Sequence, residues 1–416
     1  MLVTSPARRI AGLLAAGAAP IAVAVAVQAA GNLVFHAVVG RLMDPEEYGA
    51  LGAVLAAMLM LGVPLGALQT AASALVAEHG PGWGPARRTL RSVGLVALVP
   101  ALVLLACAPL VRDYFHLASL ADSAQLAPYL VVAAVTATAR GLLLGDKQVG
   151  AVALTYFVST VVRLGLGLAL VLPFGVKGAL AATVLSELAA LLVAVRPLRR
   201  PTGPGGGSTL RLKSVAHAGL AVTGLFLFST VDLLLARHHL RDGSSGAYVA
   251  AATVAKTVLA LPAGIMSAVF PRLLAGWPTR KRGRVLTSGA VAVAGPALLG
   301  GLVIVALPAL VLRVLYGDGY ADATGLVRTL AGVAALTSLV TVLTNAALAR
   351  RSWTIAIPWA GAVLEVALIE LWHGGATQIA VCSAAALTVT LLAMVLLEAR
   401  AWFRSPTPAP EPALAA

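Results

Sequence analysis

Six ionisable side chains stand inside long apolar stretches, where no headgroup is in reach: Arg163, Glu187, Asp232, Lys256, Arg328 and Glu365, with Asn32 as a polar companion. A charge at the centre of a membrane helix costs about 2.5 to 3.5 kcal/mol on insertion scales, so each should face a polar cavity or a partner. The cations Arg163, Lys256 and Arg328, together with Asn32, suit the lining of a chamber that receives an anion. The acids Asp232, Glu187 and Glu365 suit a coupling ion or an ion pair.

Counting about 1.5 Å per residue from the nearer helix end places Arg163 and Glu187 at matching depths of roughly 14 to 17 Å, on consecutive helices. Two readings follow: a buried pair that serves a cavity, or a structural ion pair that fixes helix register. By the same count Asp232 lies about 6 Å deep and Lys256 about 15 Å deep, again on consecutive helices. Lys256 has no evident acid nearby except Asp232. Asn32, Arg328 and Glu365 fall within roughly 11 Å of the same face, so one polar vestibule opening away from the cytoplasm would collect the whole set.

The elements that must position these residues are membrane spans. Hydrophobic residues make up 60% of the chain, charged residues 11%, and the mean hydropathy is +0.94. Soluble domains carry about 25% charged residues, so this is an all-α polytopic membrane protein. A span needs roughly 20 apolar residues, and about a dozen such stretches are present. The first half holds Ile10 to Val39, Tyr48 to Ala77, Val93 to Val111, Gln125 to Gly145, Val149 to Leu172 and Val176 to Val195. The second half holds Val215 to Ala236, Gly246 to Phe270, Val285 to Val314, Ala323 to Ala347, Thr354 to Leu371 and Ala376 to Leu397.

A Pro- and Gly-rich segment divides the two sets, so the expected organisation is a six-helix lobe over 1–196, a cytoplasmic linker over 197–213, a second six-helix lobe over 214–400 and a disordered tail over 401–416. The halves look like two copies of one unit: Leu42, Asp44, Pro64 and Gly66 recur as Leu240, Asp242, Pro262 and Gly264. Prolines at 20, 64, 100, 262, 296 and 358 each remove a helix hydrogen bond and permit the bending that alternating access uses.

Lys and Arg set the orientation, since cytoplasmic loops retain them. With the amino terminus inside, that side collects Arg8, Arg9, Arg87, Arg88, Arg91, Arg140, Lys147, Arg196, Arg280, Lys281, Arg282, Arg350 and Arg351, among others. The opposite loops hold Arg41, Arg112, Lys177, Arg237, Arg241 and Arg313, mostly beside acids such as Asp44, Glu46, Asp113 and Asp318. Both termini are therefore expected in the cytoplasm. The net charge of +14 is scattered through short loops, where it meets anionic lipid of the bilayer, and no nucleic-acid partner is implied. The stretch after Arg8-Arg9 is too long for a cleaved signal peptide.

No enzyme signature is present. The sequence lacks a phosphate-binding loop with its Lys and Ser/Thr, a Gly-x-Ser-x-Gly elbow and a His-Glu-x-x-His helix, and it implies no cofactor and no metal. Adjacent helical side chains point about 100° apart, so His238-His239 is a poor metal pair. Cys107 and Cys382 both fall inside spans, as small apolar side chains rather than a disulfide framework. Gly62-x-x-x-Gly66 has the spacing of a close helix contact, one that Gly-rich membrane chains often show.

Several stretches carry a family resemblance. Arg41-Leu42-Met43-Asp44-Pro45-Glu46-Glu47-Tyr48-Gly49 resembles the R-L-x-x-x-E-Y-G turn of bacterial polysaccharide flippases, the Wzx-like, O-antigen-type branch of the multidrug/oligosaccharidyl-lipid/polysaccharide (MOP) exporter superfamily. Arg140-Gly141-Leu142-Leu143-Leu144-Gly145 is similar to that family's R-G-x-L-Q-G, with Leu144 in place of Gln. Val162-Arg163-Leu164 with Gly175-Val176-Lys177-Gly178-Ala179, and Asp232 with Gly246-Ala247-Tyr248, Lys256 and Pro271-Arg272, are similar to later passages of the same family. The resemblance runs from about Gly31 to Arg351.

It implies two six-helix lobes around a central cavity, a MATE-like fold, and movement of a polyprenyl-diphosphate-linked oligosaccharide from the inner to the outer leaflet of the cell membrane. Arg163 and Lys256 would line the cationic cavity, and Asp232 would bind a coupling ion. The implied chain acts as a monomer, with a glycan polymerase and glycosyltransferases as partners. The physics is intelligible: a diphosphate head cannot cross hydrocarbon without a polar path, Arg matches its oxygens as a fork and Lys supplies a point charge. Other readings are a drug antiporter of the same superfamily, which would favour acidic residues over Arg163 and Lys256; a peptidoglycan-precursor flippase, whose family carries two more spans; and a non-transporting scaffold for glycan assembly.

Overall fold

The computed structural model describes residues 19–199, 212–241, 243–256, 301–349 and 352–404. Among these residues every regular element is helical, and eight helices are long and apolar enough to cross a membrane. The expected all-α membrane fold is what forms, because a helix alone satisfies its backbone groups without water.

Helix α1 (Ala19–Leu42) runs to a short turn, and α2 (Pro45–His79) leaves it at once. The sequence Asp44-Pro45-Glu46-Glu47 starts α2: Asp44 is extended, Pro45 sits where no amide donor is needed, and the two glutamates meet the positive end of the helix dipole. Then come α3 (Trp83–Ala106), the short helices α4 (Ala108–Tyr114) and α5 (Leu120–Ala124), and α6 (Leu126–Gly145). The span expected to reach Val111 stops instead at Cys107, where α4 takes over, and Arg87, Arg88 and Arg91 lie exposed on α3 itself rather than in a loop.

Helical residues Val149–Leu198 form α7, which at about 1.5 Å per residue is far too long for one crossing. Gly175 breaks it with φ 56° and ψ −131°, a conformation that suits glycine alone. The two limbs fold back so closely that a side chain at Gly178 would overlap the Leu170 carbonyl. These limbs are the fifth and sixth spans read from the sequence.

The second half contains α8 (Leu212–His239), α9 (residues 244–256), α10 (residues 301–306), α11 (Pro308–Tyr316), α12 (Thr324–Ala349), α13 (Ile357–Leu371) and α14 (Ala376–Arg404). Most of the expected linker and tail, and Asp242, Pro262, Gly264, Pro271, Arg272 and Pro296, lie outside the described residues. Of the intramembrane prolines, Pro64 and Pro100 sit inside helices, whereas Pro358 opens α13, where a missing amide costs nothing.

In the first half α2 packs on α6, α6 on α7 and α3, and α1 on α7; in the second, α14 packs on α12 and α13, and α13 on α8. The halves meet where α2 lies against α8, and one apolar core containing Phe35, Leu51, Phe228 and Ile369 runs across the join. Outward, α3 shows Leu95, Val96, Val99, Leu102 and Val103, a face that only lipid can cover.

Small residues set close helix contacts. A side chain at Gly66 would meet open space, while one at Gly141 or Gly145 of the Arg140 motif would overlap the backbone carbonyls of Gln69 and Ser73, so these glycines seat α6 on α2.

Candidate functional site

Glu187, on the second limb of α7, and Arg163, on the first, each stand 12 residues from Gly175 (175 − 163 and 187 − 175), so the hairpin brings them to the same depth, as expected. They are not each other's partners. Arg140 Nη2 lies 3.5 Å from Glu187 Oε2, and Ser159 Oγ is 3.3 Å from Oε1. Arg140 Nε donates to Thr155 Oγ1 at 3.0 Å, and its guanidinium lies over the Tyr156 ring at 4.3 Å. The charge pattern groups Arg140 with the cytoplasmic loop cations; the fold buries it on α6, five residues before the helix ends, as the counter-charge of Glu187.

Arg163 takes a different role. Its Nη1 donates to Asn32 Oδ1 at 2.9 Å across to α1, and its guanidinium stacks on Phe35 at 4.2 Å. Its buried Nε has no hydrogen-bond partner, whereas Arg140 Nη2 has its ion-pair contact with Glu187. Two buried guanidinium groups thus stand beside one carboxylate that only Arg140 engages, which leaves Arg163 without an acidic partner. Such an arrangement is equipped for an anion.

The second half reverses the sign. Lys256 Nζ lies 2.7 Å from Asp232 Oδ1 and 2.6 Å from Oδ2, and donates also to the Ser229 carbonyl at 2.9 Å. The Tyr248 hydroxyl donates to Asp232 Oδ2 at 3.0 Å. Asp232 is 1% exposed, while the Lys256 side chain keeps 19%. Glu365, on α13, faces the same pair and Ser383 of α14, with Oε2 lacking a partner. Two carboxyl groups and one ammonium occupy this site.

Of the sequence-selected residues, Asn32 joins Arg163, and Asp232 joins Lys256 and Glu365, while Glu187 takes Arg140. Arg328 stands elsewhere: it is exposed on α12 and donates from Nε to the Val305 carbonyl at 3.1 Å, near the break at Leu307.

Several site residues escaped attention because their types are not conspicuous. Tyr48, fully buried, puts its hydroxyl 2.9 Å from His36 Nδ1 and donates to the Tyr316 hydroxyl at 3.4 Å; Tyr320 packs edge-on, with ring centroids 6.0 Å apart. The Tyr of the E-Y-G turn therefore seals the join between the halves. Tyr248 of Gly246-Ala247-Tyr248 orients Asp232. A tyrosine beside a glycine in each turn was the available signal.

Helices of this kind, in this order, with charges held between them, define a polytopic all-α membrane protein. Solved structures agree on the fold. An inward-facing multidrug resistance MATE family transporter of the MOP superfamily superimposes with a TM-score of 0.69 at 16% identity, covering 91% of this chain and 96% of that one. The lipid II flippase MurJ in an inward closed conformation gives 0.68 at 12% identity, covering 91% and 87%. A MOP superfamily transporter from Pyrococcus furiosus, whose binding pocket is described as of reverse polarity, gives 0.60 at 14% identity, covering 92% and 94%.

No curated protein sequence matches the chain. The family model for polysaccharide biosynthesis proteins matches residues 14–277, and the chain belongs to that family. It is a multi-pass membrane protein of the polysaccharide biosynthesis family with a fold shared with solved MOP-superfamily transporters and the MurJ flippase.

Proposed function

We propose that this protein flips a polyprenyl-diphosphate-linked oligosaccharide from the cytoplasmic to the outer leaflet of the cell membrane, by alternating access, for surface polysaccharide synthesis. Residues 1–196 and 214–400 act as the two lobes, with both termini cytoplasmic, and the chain works as a monomer beside glycosyltransferases and a glycan polymerase. The observation that carries this reading is the buried Arg163 guanidinium in a chain of the polysaccharide biosynthesis family: Glu187 is taken by Arg140, and Arg163, in contact with the neutral Asn32 and Phe35, keeps its Nε without a hydrogen-bond partner.

The division of charge supports a division of labour. Of the two buried groups, that of Arg140, Arg163 and Glu187 in the first half holds one more cation than acid and suits the diphosphate. The second holds one more acid than cation, a surplus that a proton or a monovalent cation would balance at Asp232 and Glu365. Lys256 links the two events, because a diphosphate that draws its ammonium away leaves Asp232 without a counter-charge and ready for the coupling ion.

The test is surface-glycan export in cells lacking the chromosomal gene and supplied with wild-type protein or Arg163→Ala at matched levels. Glycan should reach the surface with the first and accumulate as lipid-linked oligosaccharide inside with the second. Equal surface glycan in both would reject the assignment.

A further inference from the structure

Four of the protein's seven histidines gather at the end of the bundle that carries the α1–α2 turn, and they bridge its two halves. The first half contributes the loop after α4, with Tyr114, Phe115 and His116. The second contributes the end of α8, with Arg237, His238, His239 and Arg241, and the end of α13, with Glu370 and His373. Arg237, 4% exposed, is the fastener. Its Nε donates to the Phe115 carbonyl at 2.8 Å, Nη2 to the His116 carbonyl at 2.9 Å, and Nη1 to the Glu46 carbonyl at 3.3 Å and Ser245 Oγ at 3.1 Å.

Histidines surround this fastener in a defined protonation pattern. His238 stacks on Tyr114 with centroids 4.0 Å apart and donates from Nδ1 to the Tyr114 carbonyl at 2.9 Å. His116 Nε2 lies 3.3 Å from Arg241 Nη2. Arginine can only donate, so this contact requires a bare, neutral imidazole nitrogen on His116. The His116 backbone has φ 50°, in the left-handed region that L residues rarely adopt, and its carbonyl is held by the bond from Arg237. His239 meets Glu370 Oε1 at 3.3 Å and stacks on His373 at 4.0 Å, and His373 Nδ1 caps the carbonyls of Ile369 and Glu370.

We propose that this cluster is a proton-released latch: with His116 neutral it holds the two halves together at this end, and protonation of His116 opens it. The charges that face His116 are Arg241, Arg237 and His238. The acids in the neighbourhood are Glu46, which adjoins Arg237; Glu370, engaged by His239; and Asp113, paired with Arg112. Asp242 lies outside the described residues. A proton on His116 therefore removes its contact with Arg241 and adds a third cation to two arginines without a new acid to meet it.

Burial first, then Arg241, holds the His116 imidazole below its usual range. The opened form binds the proton more readily, so closure is favoured above the ordinary imidazole value of about 6.5 and weakens as pH falls through it. If the positive-inside pattern holds, this end faces outward, and external acidity is what the latch would read.

The experiment measures spin-label distances in full-length protein in lipid nanodiscs, in a Cys107→Ser, Cys382→Ala background with labels at Lys177→Cys and Thr377→Cys, one exposed site on each half. Wild type should give a single short distance near pH 8 and gain a longer population by about pH 5.5. His116→Asn keeps an acceptor for Arg241 and tolerates the left-handed backbone, yet cannot take the proton, so it should stay short at both values. Arg241→Gln removes the cation that a proton on His116 would meet, so it should flatten the pH response. Superimposed wild-type distributions at the two pH values, or a His116→Asn response equal to wild type, would overturn the latch.

Discussion

Lys256 Nζ sits between both carboxylate oxygens of Asp232, at 2.7 and 2.6 Å, in a place where Asp232 is all but closed to solvent. The pair is therefore a buried structural contact, and in the proposed mechanism it also takes part in transport, so single substitutions report on both roles at once. Breaking a buried pair by removing one partner costs about 3 to 5 kcal/mol, and the partial exposure of Lys256 puts this case near the lower bound.

Lys256→Ala should lower the melting temperature in detergent by several degrees, and Asp232→Asn combined with Lys256→Met should recover most of it. Glycan export should stay absent in the double variant. A Lys256→Ala protein that melts like wild type would mean that the pair is looser than its geometry.

Arg140 and Arg163 should separate by stability. Arg140→Ala strands Glu187 and should destabilise by about 3 kcal/mol. Arg163→Ala removes a cation whose partners are the neutral Asn32 and Phe35, so it should cost about 1 to 2 kcal/mol while abolishing export. Denaturation monitored by tryptophan fluorescence and a surface-glycan assay, run on the same preparations, check both; the reverse ranking in stability would contradict the pairing of Glu187 with Arg140.

Gly141→Leu should prevent stable folding, because its side chain would need space held by the Gln69 carbonyl backbone. Overpacking of this kind costs about 1 to 3 kcal/mol or more, whereas Gly66→Ala, with open space around it, should leave the melting temperature within a degree or so. Yields of folded protein by size-exclusion chromatography read the difference.

With an anionic cargo, producing the protein should not protect drug-sensitive cells from cationic dyes, since the buried Arg163 and Lys256 oppose a cation. Resistance conferred by the intact gene and lost with Asp232→Asn would favour drug antiport instead.

How far the sequence reached is clearest at Arg163 and Glu187. Helix rise and span ends placed both at one depth, and the Gly175 hairpin keeps them there. Depth along an axis says nothing about direction around it, and that is why the ion pair went to Arg140, whose position near a helix end looked like that of a loop cation. Lys256 and Asp232 were legible as partners because no other choice existed for the lysine. Arg237 was counted only as a loop charge, since nothing in its neighbours along the chain reveals four acceptors drawn from three separate segments.

By itself, then, the sequence determined the class of molecule: apolar length demands membrane helices, and ionisable residues within them demand company. Only the tertiary structure decided the pairings, because helix rotation and the close seat of Gly141 and Gly145 on α2 choose which side chains meet. The same packing brought His116 to Arg241 and Arg237 from more than a hundred residues away, a contact that no local pattern encodes because it exists only when the two halves close.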